Sequence, residues 1–110
     1  MAKVHLICRR VAGGLDGVTA VNPKDHIYRS AAWDFKINEA KKLLGGKIYF
    51  HQAKSAPSHY GGEVLSVEEV KTDNAREVRI LFTFKATADG RGVPWSGSNH
   101  VMAWTSGIMD

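Results

Sequence analysis

Glu63-Val64-Leu65-Ser66-Val67-Glu68-Glu69-Val70 and Glu77-Val78-Arg79-Ile80-Leu81-Phe82-Thr83-Phe84-Lys85 are the two stretches whose reading decides the fold class. In the first, Val64, Ser66, Glu68 and Val70 alternate with Leu65, Val67 and Glu69. In the second, Val78, Ile80, Phe82 and Phe84 alternate with Arg79, Leu81 and Thr83. A period of two sends successive side chains to opposite faces, so both stretches read as strands. Thr72-Asp73-Asn74-Ala75 between them reads as a turn, and the pair is expected to form an antiparallel hairpin.

Upstream, Lys47 to Gln52 carries the β-favouring Ile48, Tyr49 and Phe50. Before it, residues 34–44 are predicted to form the main helix, with Ile37, Ala40, Leu43 and Leu44 on one face and Lys36, Glu39, Lys41 and Lys42 mostly elsewhere. Asp34 is placed to cap the helix start, Gly45-Gly46 to end it in a left-handed conformation, and Lys41 and Lys42 to face the negative end of its dipole. Lys3 to Val11 reads as a first strand in which Val4, Leu6 and Cys8 alternate with His5, Ile7 and Arg9, making Cys8 a small buried apolar residue. Residues 12–17 read as a Gly/Asp-rich turn. Residues 18–30 read as irregular or as one short strand, and Val101 to Trp104 as a short terminal strand. Many strands, one helix and loop connections predict an α+β fold: a small, mixed, mostly antiparallel β-barrel in one domain spanning residues 1–110.

The chain has 110 residues, a formal net charge of +4 and one cysteine. A lone Cys8 rules out an internal disulfide framework, and no apolar run is long enough to span a membrane as a helix. The amino-terminal residues do not read as a secretory signal, which makes a reducing, cytoplasmic setting the expectation. The charge is uneven: residues 1–50 hold nine Lys/Arg against four Asp/Glu, residues 51–110 six against seven. A basic half is an electrostatic footprint for phosphate backbones, or equally a solubility charge.

Five histidines and a cysteine invite a metal, but none falls in an HxxH, CxxC or HExxH spacing, so neither metal nor cofactor is expected. Ser55 and Ser58 lie near His51 and His59 without the elbow a nucleophilic serine needs. Gly90-Arg91-Gly92-Val93-Pro94-Trp95-Ser96-Gly97 lacks the Gly-Lys-Ser/Thr ending of a phosphate loop. It reads as a hairpin or rim loop in which Arg91, beside Trp95, is placed to contact a ligand. The loop Gln52-Ala53-Lys54-Ser55-Ala56-Pro57-Ser58-His59-Tyr60 lies between two strands and is dense in hydrogen-bonding groups. It reads either as a binding loop on a rigid sheet or as a polar, solvated connection. Of three tryptophans, Trp95 lies outside any periodic pattern and Trp33 is expected on a loop-to-helix junction; each is either core or a platform on which a base stacks.

The run from Trp33 through Gly45-Gly46 to Phe50-His51 is similar to a segment of the EVE branch of PUA-like domains: a tryptophan, an amphipathic helix with an Asn and an Ala, a glycine turn, and a strand ending in an aromatic-His pair. Gly61-Gly62 and the alternating run to Val70 resemble the strand that follows. The likeness covers about residues 33–70. It implies a small β-barrel with flanking helices that binds RNA or DNA, with Trp33 and Asn38 near a pocket for a modified base and with Phe50, His51 and the following loop as its wall.

Together these readings predict a nucleic-acid-binding module that recognises a modified or flipped base. Arg9, Arg10, Lys41, Lys42 and Lys54 are the expected phosphate contacts, which position without specifying. Trp33 or Trp95 stacks the base, and Asn38, His51, Ser55 or Ser58 reads its edge. One alternative is a small hydrolase like the sibling ASCH domains, acting on a modified nucleoside with Lys54 and His51 or Glu63 as acid and base. Another is a compact protein-interaction factor anchored by exposed tryptophans.

Overall fold

Val4, Leu6, Ile48, Phe50, Val64, Ile80, Phe82 and Phe84 are all at most 1% exposed, and they line one face of a single large sheet. The computed structural model describes residues 2–8, 10–11, 14–15, 18–33, 35–53, 55–71, 78–95 and 105–109. Its strands are β1 (Lys3–Ile7), β2 (Arg10–Val11), β3 (Gly14–Leu15), β4 (Val18–Asn22), β5 (Ile27–Trp33), β6 (Lys47–His51), β7 (Tyr60–Lys71), β8 (Val78–Ala86) and β9 (Thr105–Met109). Seven of them form one mixed sheet in the order β4-β5-β8-β7-β6-β1-β9, and β2 pairs with β3 in a separate ribbon. Only β1 and β6 run parallel; the other neighbours are antiparallel. The protein is therefore β-rich α+β. Among the described residues the sheet is open, with β4 and β9 at its edges, and the expected closure into a barrel is not formed.

The hairpin expectation agrees with the observed register: β7 and β8 pair from Gly62↔Ala86 to Lys71↔Val78. The expected turn at 72–75 lies outside the described residues. β8 is paired on both sides, and its alternate residues Ile80, Phe82 and Phe84 are wholly buried. Burying a side chain of this kind contributes roughly 1.5–3 kcal/mol, so this strand is the spine of the core.

The helix is shorter than predicted. One α-turn, α1 (Ile37–Ala40), runs directly into a 3-10 turn, Lys41–Leu43. Lys36 is the N-cap, extended and without a side-chain cap, and its carbonyl accepts from the amides of Glu39 and Ala40. Asp34, the expected cap, lies outside the described residues. Ala40 and Leu43 are buried and Ile37 half-buried, whereas Leu44 is 50% exposed. A spacing of three faces the core here because the helix tightens as it ends. Gly45 takes the predicted left-handed conformation, with φ +75. A Cβ on Gly46 would collide with the Ala2 carbonyl oxygen, which accepts from the Lys47 amide as β6 starts beside β1.

Residues 18–30 are not irregular. β4 and β5 form an antiparallel hairpin around a 3-10 turn at Pro23–Asp25. The return is made by His26 at φ 61, a left-handed position without the glycine that would have announced it. β4 lacks the alternation of a half-buried strand because, after Val18, it lies exposed at the sheet edge. The first strand also stops earlier than expected, at Ile7, with Arg10–Val11 leaving for the β2–β3 ribbon. The terminal strand is Thr105–Met109, while residues 101–104 lie outside the described part. No helix of the described residues is long and apolar enough to cross a membrane.

Candidate functional site

In the parallel ladder His5 lies opposite Tyr49, and Ile7 opposite His51. Alternation then puts His5, Tyr49 and His51 together on the face opposite Val4, Leu6, Ile48 and Phe50. On this second face His5 Nδ1 and His51 Nε2 are 2.7 Å apart, and both side chains are fully buried. His51 Nδ1 lies 2.9 Å from the Ala56 carbonyl oxygen. A carbonyl only accepts, so His51 Nδ1 carries the proton. In the neutral pair His51 Nε2 is then the acceptor and His5 Nδ1–H the donor. The chain of bonds therefore has one direction, His5 to His51 to Ala56, and leaves the lone pair of neutral His5 on Nε2.

Rings close over the pair. Tyr49 stacks on His5 with centroids 4.9 Å apart, and Trp95 lies 5.5 Å from His5 and 4.9 Å from His51. Burial, the neighbouring His51 and Lys3 push His5 down to about 4. Burial and His59 hold His51 below its ordinary value, against the opposing bond to Ala56. Burial and Asp89 raise the Tyr49 hydroxyl. The histidines are neutral near pH 7.

The loop after His51 is folded back onto the strands. His59 Nε2–H donates to the Cys8 carbonyl at 3.0 Å and the His59 amide to Phe50 O at 3.0 Å. Ser58 Oγ donates to Gly90 O at 2.7 Å and accepts from the Val93 amide at 2.9 Å, while the Ser58 amide donates to Val93 O. These bonds lock the segment around Gly90–Trp95 over the sheet. The lock needs bare backbone: a Cβ on Gly61 would lie 2.6 Å from Ile48 O and 2.9 Å from Gly90 O.

Ser58 is thus bonded to Gly90 and Val93, while the structure brings His51 and Trp95 together with His5 and Tyr49, two residues that sequence reasoning missed. Their signal was the polar and aromatic set alternating with the apolar one on both β1 and β6. His51 and Ser58, expected to read a base edge, are both buried, and their polar atoms are engaged internally. Phe50, expected as a pocket wall, is core instead. Its ring packs 5.1 Å from Phe84, because consecutive strand residues face opposite ways. Ser55 is exposed in the loop. The guanidinium of Arg91 lies over the Tyr60 ring at 5.7 Å. Cys8 is buried as expected, at 3% exposure.

Trp33 is not on a loop-to-helix junction but ends β5, half-buried, with Nε1 donating to Ser30 Oγ at 2.8 Å. Two strands, β8 and β7, separate β5 from β6, so Trp33 and the histidine cluster belong to different parts of the sheet. Beyond Trp33 the helical segment exposes Lys36, Asn38, Lys41 and Lys42. Arg9 and Lys54 lie outside the described residues, as does the side chain of Arg10 on β2. The hydrolase pairing loses support at its partners, since both ring nitrogens of His51 are within bonding distance of internal groups and Glu63 is exposed. Among the described residues no group of three or more His, Cys, Asp or Glu is arranged to hold a metal ion. Comparison with protein-family models, with curated proteins and with solved structures gives no match.

Proposed function

We propose that this protein is a PUA-like nucleic-acid-binding module whose contact surface is Trp33 and the helical segment that follows it. The observation that carries this reading is that Lys36, Asn38, Lys41 and Lys42 are all exposed on one short segment directly after a half-buried tryptophan. Three ammonium groups there suit phosphates, which attract without regard to sequence. The Ser30 bond ties down the indole Nε1 edge. A ring held in place is suited to receive a base, and such stacking is worth roughly 1–3 kcal/mol. Asn38, with an amide that both donates and accepts, is the residue placed to read the edge of a flipped or modified base.

The test is fluorescence anisotropy with labelled single-stranded DNA and RNA oligonucleotides, unmodified and base-modified, at rising salt. Three phosphate contacts on a single strand predict a log–log salt slope of about −2. Lys41→Ala with Lys42→Ala should weaken binding to every sequence, and Trp33→Ala should erase preference among bases. No binding at low salt, or binding unchanged in the double lysine variant, overturns the reading.

A further inference from the structure

We propose that Arg91 and the hydroxyls of Tyr28 and Tyr60 form a binding site for the terminal phosphate of a phosphomonoester. The site does not rest on the nucleic-acid reading above. Tyr28 stands near the start of β5, which Trp33 ends, and it lies opposite Phe84 on β8. Tyr60 opens β7 opposite Phe50, on the face turned away from the histidine cluster. The two phenol rings meet edge-on with centroids 5.6 Å apart, and they lie 6.0 and 6.1 Å from the buried Phe84. Their hydroxyls hydrogen-bond to each other, and the Arg91 guanidinium stands over the Tyr60 ring at 5.7 Å.

The chemistry of the cluster selects its ligand. Two hydroxyls joined by one O–H···O bond keep one O–H to spare, whichever of them donates. Burial and the bond to Tyr28 hold the Tyr60 hydroxyl well above its ordinary value, so near pH 7 it is a proton donor and not a phenolate. A cation over an aromatic face is attracted without spending an N–H, so the guanidinium keeps its fork for oxygen acceptors. Arg91 is exposed, and among the described residues no carboxylate pairs with it. Asp89, two residues earlier, accepts from Thr87 and acts on Tyr49, on the other face of the sheet. Every group offered is a donor or a cation, which calls for an oxyanion. The fork by itself satisfies the two oxygens of a carboxylate. The spare phenolic O–H is a third donor and suits the third oxygen of a phosphomonoester.

The backbone holds the arginine in place. It follows the 3-10 turn Ala88–Gly90, which is anchored by the Thr87 amide donating to Gly61 O at 3.0 Å. Gly90 is pressed against Gly61 so closely that a Cβ on Gly90 would collide with the Gly61 backbone. On either side of Arg91, Ser58 Oγ donates to Gly90 O and the Gly92 amide donates to Ser58 O, both at 2.7 Å. Arg91 therefore springs from a segment tied to the start of β7, beside Tyr60. Its own side chain is what an arriving anion has to order, which keeps the cost of binding low. The wholly buried Phe84 backs both phenol rings, so the site is shallow and takes a terminal group.

The experiment is an NMR titration of the isotope-labelled full chain with inorganic phosphate near neutral pH, at constant ionic strength against chloride. The expected result is a saturable shift of the Arg91 Nε–Hε signal together with the Tyr60 and Gly92 amides, and weaker binding of acetate. Arg91→Ala should weaken phosphate binding about tenfold or more, the usual loss for a hydrogen-bonded charge partner. Tyr28→Phe or Tyr60→Phe alone leaves one O–H and should cost less than about threefold, whereas the double variant should cost about tenfold. A nucleoside monophosphate and an end-phosphorylated oligonucleotide, each set against its unphosphorylated counterpart, distinguish a free phosphomonoester from the end of a strand. The site is overturned if phosphate gives no saturable shift at Arg91, if acetate binds as tightly, or if Arg91→Ala or the double phenylalanine variant binds phosphate as the wild type does. Should the double variant not fold, Arg91→Ala and the acetate comparison decide. A chain that binds no oligonucleotide at Trp33 can still pass this test, so the two readings fail separately.

Discussion

Trp33 Nε1 donates to Ser30 Oγ at 2.8 Å, across three positions of the same strand. Residues three apart on a regular strand face opposite ways. A register shift between Ser30 and Trp33 removes one step, so both face β8, opposite Phe82 and Ile80. β7 does the same on the other side of β8: its shift between Val64 and Ser66 brings Val64 and Val67 onto one face, opposite Phe84 and Phe82. β8 is thus flanked by two strands that carry register shifts. Ser30, fully buried, sits where the bulge needs a small polar partner for the indole.

Ser30→Ala should therefore cost about 1–2 kcal/mol in urea unfolding, the usual consequence of removing one partner of a buried hydrogen bond. The tryptophan emission should change as Trp33 Nε1 loses its acceptor. An unchanged unfolding midpoint would show that the bond adds nothing to the bulge.

Glycine substitutions should separate two kinds of constraint. A Cβ on Gly62 would run into the Lys85 carbonyl oxygen in the β7–β8 ladder, so Gly62→Ala should cost more than about 3 kcal/mol or prevent folding. Gly92 has φ +76 but nothing within 4 Å of an added Cβ. Gly92→Ala should cost only the left-handed strain, about 1 kcal/mol. Thermal melts of the two variants check the difference.

Ser58→Ala removes the hydroxyl that both donates to Gly90 O and accepts from the Val93 amide. A loss of about 2–3 kcal/mol is expected for two such bonds at a buried position. The loss of protection at the Val93 amide should exceed that at β7–β8 amides in hydrogen exchange.

Stability should fall in mild acid through His5. The unfolded chain protonates this ring near 6.5 and the native state only at about 4. Between these values the unfolded state binds the extra proton, so its population grows as pH drops. The contribution is fully present above pH 6.5 and lost by about pH 4, on the order of 3 kcal/mol. His51, lowered chiefly by burial, acts in the same direction. Urea midpoints between pH 7.5 and 4.5 check the slope, and His5→Gln should flatten it.

The outer face of β1 and β6 was the part of the site hardest to see in the sequence. In the sequence His51 reads with the neighbouring serines, and Trp95 with the glycine-rich loop, as groups to meet a ligand. In the folded chain they meet each other. His5 belongs with them only because β1, separated from β6 by thirty-nine residues, pairs with it in parallel at the register that sets His5 opposite Tyr49. Phe50 is adjacent to His51 in the sequence, yet adjacency in a strand separates side chains. The helical segment was legible in position but not in length: its buried residues lie three apart, a spacing that the helical pattern includes and a tightened turn satisfies equally.

By itself the sequence determined what depends on neighbouring residues. The alternation of Ile80, Phe82 and Phe84 makes β8 a core strand, that of Val4, Leu6, Ile48 and Phe50 commits one face of β1 and β6 to the interior, and Gly45 ends the helix. The tertiary structure alone decided the sheet order, the bulges on β5 and β7, the edge strand β4 and the burial of His5 with His51. The physical reason is one of range. A period of two is a property of the local backbone, whereas a bulge has meaning only against a partner strand. In the same way, whether a polar face stays wet depends on which distant loop folds over it.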